Sequence, residues 1–311
     1  RAAGRQLVGG RLSGEHERPD DEGASDLPLA AASDAERLRE QDFASLEPDE
    51  LRELAGLMAR LALAPPPRRS RRMRRHAHGA RLDPRATLRA ARRTGGDPVR
   101  HLRRARLLRP RRLVVLCDIS GSMEPYARAY LQLLHAAVGG SRAEAFVFAT
   151  RLTRVTRALR ARQPDVAIER AGVVARDWSG GTRLGASLQR FNDEHGRRGM
   201  ARGAVVVIIS DGWERGDPAL VARELERLRR LAHRIVWVNP RRAAPGYEPL
   251  TGGMAAALPF CDYFVSGHSM SALSAVADAI AAGRVSGRPS RVSGRRPASA
   301  VRPARPRSGP S

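Results

Sequence analysis

Lysine is absent: all 56 basic residues of this 311-residue chain are arginine. That absence removes two chemistries, the lysine Schiff base and the G-x-x-x-x-G-K-[ST] phosphate loop. We read so complete a skew as a GC-rich coding signature, so the net charge of +24 overstates any need for positive charge. Cysteine is nearly absent too. Cys117 and Cys261 are the only two, each in an apolar, strand-like run. They are expected to be buried thiols in a reducing compartment, not a disulfide pair, and the protein is expected to be cytoplasmic. No apolar run approaches the roughly 18 residues of a membrane-spanning helix, so no span is expected. The chain opens on Arg1, from which we expect the natural start to lie upstream, so an N-terminal targeting signal is not judged.

Charge divides what is present into four stretches. Residues 1–64 carry 8 Arg and 14 acids, and Pro48-Asp49-Glu50 opens an Ala/Leu-rich helix running to Leu63. Residues 65–112 begin at a stiff Pro65-Pro66-Pro67 and carry 18 Arg against 2 acids. Residues 113–282 hold most of the periodic apolar pattern. The tail, 283–311, has 8 Arg, no acid and many Pro, Ser and Gly, a composition that predicts disorder.

Within 113–282 apolar runs alternate with helical patterns, which predicts a mostly parallel sheet with helices on both faces. Strands are expected at Leu113–Cys117, Glu144–Ala149, Leu152–Thr156, Ala204–Ser210, Arg234–Val238 and Phe260–Val265. Thr150-Arg151 is short enough for a hairpin, so one edge is expected to be antiparallel. Helices are expected over Tyr126–Val138, Asp165–Ala175, Arg183 to about His195, Asp217 to about Ala232, and Ser269–Ala282.

Polar clusters fall where such a sheet presents its ligand face, at the carboxyl ends of the strands. Asp118, Ser120 and Ser122 follow the first strand in a D-x-S-x-S pattern. Thr182 ends the loop Asp177-Trp178-Ser179-Gly180-Gly181-Thr182. Asp211 follows the most hydrophobic strand, in Ser210-Asp211-Gly212. Two carboxylates and three hydroxyls are hard oxygen donors, suited to Mg²⁺, Mn²⁺ or Ca²⁺ and not to zinc. Glu214 and Asp217 read as first-turn acids of the next helix. His135 and His233 lie in helical stretches with no triad partner evident.

These five positions, in this order and context, resemble the metal-ion-dependent adhesion site of von Willebrand factor A (VWA) domains. Three stretches narrow the resemblance to the CoxE-like branch of that superfamily. They are Arg111–Met123 with the Arg-rich Arg81–Gly96 before it, Trp178-Ser179-Gly180-Gly181-Thr182, and Ser210–Pro218. The resemblance implies a Rossmann-like VWA fold and a Mg²⁺ or Mn²⁺ held by Asp118, Ser120, Ser122, Thr182 and Asp211. It also implies an accessory protein, not an enzyme, working beside a MoxR-type AAA+ ATPase to mature a client metalloenzyme such as carbon monoxide dehydrogenase. A partner carboxylate is expected to complete the metal's coordination. Trp178 and Trp213, each within four residues of an expected ligand, and Glu214 are the expected partner-binding residues.

A second class of function follows from the 65–112 charge: an Arg-rich nucleic-acid-binding protein carrying an interaction module. Guanidinium–phosphate contacts would bind without regard to sequence. No Phe, Tyr or Trp lies in that stretch to stack on bases, so we favour a folded basic approach to the first strand that meets an acidic partner.

Overall fold

The computed structural model describes residues 36–98, 100–175 and 181–283. The tail expected to be disordered and Trp178 lie outside the described residues. Two sheets organise the molecule.

The larger is six-stranded, in the order β6-β5-β4-β7-β8-β9. Its strands are β4 (Leu113–Asp118), β5 (Glu144–Phe148), β6 (Leu152–Arg154), β7 (Val205–Ile209), β8 (Arg234–Asn239) and β9 (Tyr263–Ser266). All pairs are parallel except β5–β6, the expected hairpin edge. Every residue of β4, β7 and β8 is buried, as continuous apolar runs between two helical layers require. Alternate residues serve opposite faces. Val115, Cys117, Val207, Ile209, Val236 and Val238 share one core with α3 (Glu124–Gly140) and α8 (Met270–Ala281). Val114, Leu116, Val206, Ile208, Ile235 and Trp237 share the other with α5 (Leu184–Phe191), α6 (Pro218–Leu231) and α7 (Gly252–Ala257). The weak helix expected after residue 165 is α4 (Pro164–Val174).

Helix α1 (Pro48–Arg60) forms where expected, with Pro48 at its first position and a capping box between Glu47 and Glu50. Leu54 and Met58, one turn apart, carry its apolar stripe onto α3. Leu38, Phe43 and Leu63 enter the same core. The division after residue 64 follows charge; the packing runs straight across it.

The 65–112 stretch contains more than a lead-in. It folds as a three-stranded antiparallel sheet in the order β1-β3-β2, from β1 (Pro67–Arg75), β2 (Arg81–Leu82) and β3 (Arg103–Pro110). Between β2 and β3 comes α2 (Pro84–Ala91), capped by Asp83 accepting from Ala86 N at 3.1 Å.

One local expectation is refined and one is corrected. The helix over 183–195 ends at Phe191 and passes into a π turn over Asn192–Gly196, where the Asn192 amide donates to Glu224 O at 2.9 Å. Cys261 is not in a strand; it follows a 3₁₀ turn, Leu258–Phe260, and its thiol lies 3.3 Å from Ala257 O. Both cysteines are free, and burial raises both thiol pKa values.

Candidate functional site

Strand β4 ends on Asp118, which is fully buried. Its two carboxylate oxygens are spent on neighbouring loops. Oδ1 accepts from Ser120 N at 2.9 Å and Oδ2 from the Ser210 hydroxyl at 2.7 Å. Ser210 Oγ in turn accepts from Gly212 N at 3.0 Å, so one carboxylate ties the ends of β4 and β7 together. Burial is the main cause that lifts Asp118 from the usual carboxylate range to about 7. The bonds from Ser120 and Ser210 oppose that rise, and the charge of Asp211 adds to it.

Beyond Asp118 the chain makes a 3₁₀ turn, Gly121–Met123, into α3. The Ser120 and Ser122 hydroxyls stand 3.3 Å apart in this turn. Asp211, from the end of β7, is locked by Trp213 N donating to Oδ1 at 3.1 Å and by Asn239 Nδ2 donating to its carbonyl at 3.2 Å. Gly212 has φ of +81°, and a Cβ there would stand 2.7 Å from Met254 Cβ. Only glycine serves at this turn. Thr182 is buried, and its carbonyl accepts from Arg215 N at 3.1 Å.

Ser120, Ser122, Thr182 and Asp211 line one open cleft of about 290 Å³ with Trp213, Arg215 and Arg241. Asp118 is not on its surface; it lies behind the Ser120 backbone. Four of the five expected ligands therefore face a common space and the fifth braces it. This donor set fits a hard divalent cation: oxygen only, with a buried carboxylate whose charge burial penalises. Among the described residues no cluster of three or more His, Cys, Asp or Glu exists, so no site of the zinc type competes with it there.

The remaining expected site residues fare differently. Trp213 is 54% exposed at the cleft mouth. Glu214 turns away: Oε2 accepts from Gly185 N, at the start of α5, and Oε1 from Gly216 N, both at 2.6 Å. Its carboxylate locks the loop to α5. Asp217 caps α6, accepting from Ala219 N at 2.9 Å. His135 holds Ala161 O at 2.9 Å, away from the cleft.

Sequence reasoning missed Ser210, Arg215 and Arg241. Ser210 adjoins Asp211, and a hydroxyl next to an expected ligand was the available signal. Arg241 lies in a Pro-rich loop with no motif. Its Nε stands 3.7 Å from Asp211 Oδ2, and its Nη2 donates to Ser122 O at 3.0 Å. Asn239 positions it by accepting from Arg241 N at 2.8 Å. A Cβ added at Gly181 would run into the Arg215 guanidinium, so glycine there leaves that cation room over the cleft.

Known proteins can now be set beside this geometry. The family model described as "VWA domain containing CoxE-like protein" matches residues 54–273. Solved structures that match include proximal thread matrix protein 1 from the mussel byssus, with a zinc-occupied MIDAS motif. That match has 13% identity and a TM-score of 0.38, over 55% of this chain and 46% of that one. A von Willebrand factor type A protein from Catenulispora acidiphila matches at 15% identity and TM-score 0.37, over 55% and 42%. The SpRpn10 VWA domain matches at 12% and 0.36, over 56% and 98%. The chain spans less than half the length of the first two. A search of curated proteins finds no match.

Proposed function

The chain belongs to the family of VWA domain-containing CoxE-like proteins, and from that premise we propose that it is a metal-dependent docking module that holds a partner protein. The observation that carries this reading is the convergence of Ser120, Ser122, Thr182 and Asp211, from two strand ends and the loop before α5, on one cleft. These four would hold Mg²⁺ or Mn²⁺. The bound ion supplies a Lewis-acidic position that a partner Asp or Glu completes. Asp118 keeps the Ser120 loop in place. Arg215 and Arg241 flank the mouth, where a partner carboxylate would meet their guanidinium groups. Exposed Trp213 packs around the contact and excludes water. Arg241 also stands against Asp211, so a divalent ion entering the cleft competes with a charge already there.

No bond-making step is assigned. Among the described residues lining the cleft there is no His, Cys or Glu to act as general base or nucleophile beside the hydroxyls. Family membership supports a MoxR-type AAA+ ATPase as one partner and a client metalloenzyme such as carbon monoxide dehydrogenase as the other, in the cytoplasm. No helix among the described residues is long and apolar enough to cross a membrane.

Capture of the ATPase by the full chain tests the reading. Binding should vanish in chelator and drop about tenfold or more in Ser120→Ala and Asp118→Ala, with mild dependence on salt. An exposed ion pair is worth only about 0–1 kcal/mol and is screened, so it would show the reverse dependence. A complex insensitive to chelator defeats the metal bridge.

A further inference from the structure

The small sheet is built against electrostatics. Residues paired across antiparallel strands share a face, with Cβ atoms about 4.5–5.5 Å apart, and like charges placed so are destabilising. Arg75 is paired with Arg104, and Arg104 with Arg81, so three arginines form one row across all three strands. On β3 the same face carries Arg106 and Leu108, opposite Met73 and Arg69. Five guanidinium groups and two apolar side chains thus share one face. Arg68 and Arg109 are opposed on the other.

Among the described residues no acid is paired with that face. The two acids of residues 65–112 are Asp83 and Asp97, and Asp83 caps α2. Among the described residues, no arginine of β1, β2 or β3 takes part in a salt bridge, although arginines 154, 190, 227 and 230 elsewhere do. Arg104 Nε is buried with no hydrogen-bond partner, at the centre of the row. An anion arriving over the row would relieve the repulsion among its guanidinium groups.

The apolar residues indicate which anion. Leu108 is 62% exposed on the arginine face, and Leu82 and Leu88 are also exposed nearby in sequence. Phosphate backbones offer such groups nothing, and residues 65–112 contain no Phe, Tyr or Trp to stack on bases. We infer that the β1-β3-β2 sheet is a second docking surface, separate from the metal cleft, that takes an acidic protein segment with apolar residues between its carboxylates. The arginine row meets the carboxylates, and Leu108 and Met73 meet the apolar positions.

The test uses the full chain in chelator, which silences the metal cleft. The probes are a labelled peptide of Glu-Glu-Leu repeats, a polyglutamate of equal length and a DNA duplex, read by fluorescence anisotropy at physiological salt. The peptide should bind more tightly than either other probe. The combined variant Arg75→Gln, Arg81→Gln, Arg104→Gln should weaken it about tenfold or more. An equal removal of charge from an unrelated face, Arg157→Gln, Arg160→Gln, Arg162→Gln, should change it less than about twofold. Leu108→Ser should weaken the peptide and leave polyglutamate unchanged. Unaltered melting curves for each variant show that the fold survives. Equal losses in the two triple variants would reduce the effect to net charge and overturn the proposal. Tighter binding of the duplex, unaffected by Leu108→Ser, would assign the face to nucleic acid. Failure of every probe to bind would leave it a solvated face. None of these outcomes touches the metal reading, because no metal is present.

Discussion

The two sheets use one residue, arginine, in opposite ways. In the six-stranded sheet Arg234 opens β8 and is buried. Its guanidinium donates to the carbonyls of Ala279 at 2.9 Å, Ala282 at 2.8 Å and Gly283 at 2.7 Å, at the C-terminus of α8. It also lies over the Tyr263 ring. That is a helix end closed by a cation where the backbone carbonyls are unpaired. In the three-stranded sheet Arg104 sits between two more arginines and its Nε has no acceptor. Among the described residues, Arg234 finds its acceptors within its own fold, whereas the arginine row of the smaller sheet makes no ion pair.

Core substitutions should break this comparison most sharply. Trp237 is fully buried and donates Nε1–H to Ser210 O at 2.9 Å, one residue before the cleft-lining Asp211. Trp237→Ala should cost about 3–5 kcal/mol in denaturant unfolding. Leu108→Ala in the small sheet should cost less than about 0.5 kcal/mol, as exposed positions do. Equal costs would mean that the small sheet is covered from within.

A second test concerns Asp118, the buried charge of the larger sheet. Its folded-state pKa of about 7 stands above the ordinary value of 3.8, so the fold favours the protonated form. The ionised form therefore costs nothing below about pH 4, and its cost grows up to about pH 7 and stays above it. In chelator, Asp118→Asn should be stabilising by about 2 kcal/mol at pH 8, roughly half of what the shift implies, because an amide keeps only part of the two hydrogen bonds. Near pH 4 the gain should disappear. A stabilisation independent of pH would count against the buried ionised carboxylate.

How much of this was legible in the sequence depends on the signal each part left. Strands β4, β7 and β8 declared themselves as continuous apolar runs, and the cleft-lining positions after β4 and β7 followed from where those runs stop. The small sheet left no such trace. Arg68-Arg69-Ser70-Arg71-Arg72 has neither alternation nor an apolar run, because neither face is packed against a core. Arg241 was illegible for another reason: it reaches the cleft from a loop after β8, and only the parallel pairing of β7 with β8 brings it there. The tie of Glu214 to α5 was not legible because its donor, Gly185 N, belongs to a helix that precedes it in the chain.

Metal loading should give the next smaller effect. With a dissociation constant on the order of 1 mM, about 10 mM Mg²⁺ adds roughly 1.4 kcal/mol, a rise in melting temperature of about 3–6 °C for a domain of this size. Arg241→Gln removes the cation beside Asp211 and should tighten Mg²⁺ binding severalfold, read by titration calorimetry, while weakening capture of a carboxylate partner. Both properties moving in the same direction would remove Arg241 from the proposed role.

The smallest effect belongs to the arginine row and has the sharpest sign. Replacing one member relieves repulsion on both sides of it, so Arg104→Gln should stabilise the chain by about 0.2–1 kcal/mol at low ionic strength. Salt should erase the gain, because the neighbouring guanidinium groups on β1 and β2 are solvent-exposed and screened within about 10 Å at 0.1 M. The acidic peptide should reverse the ranking, since it stabilises the wild-type row and binds the variant less well. Arg234→Gln supplies the contrast. There the guanidinium satisfies carbonyls within its own fold, so its loss should destabilise at every salt concentration and be indifferent to the peptide. Should Arg104→Gln destabilise at low salt as Arg234→Gln does, the small sheet's arginines would be internal supports like those of the larger sheet, and the difference between the two would close.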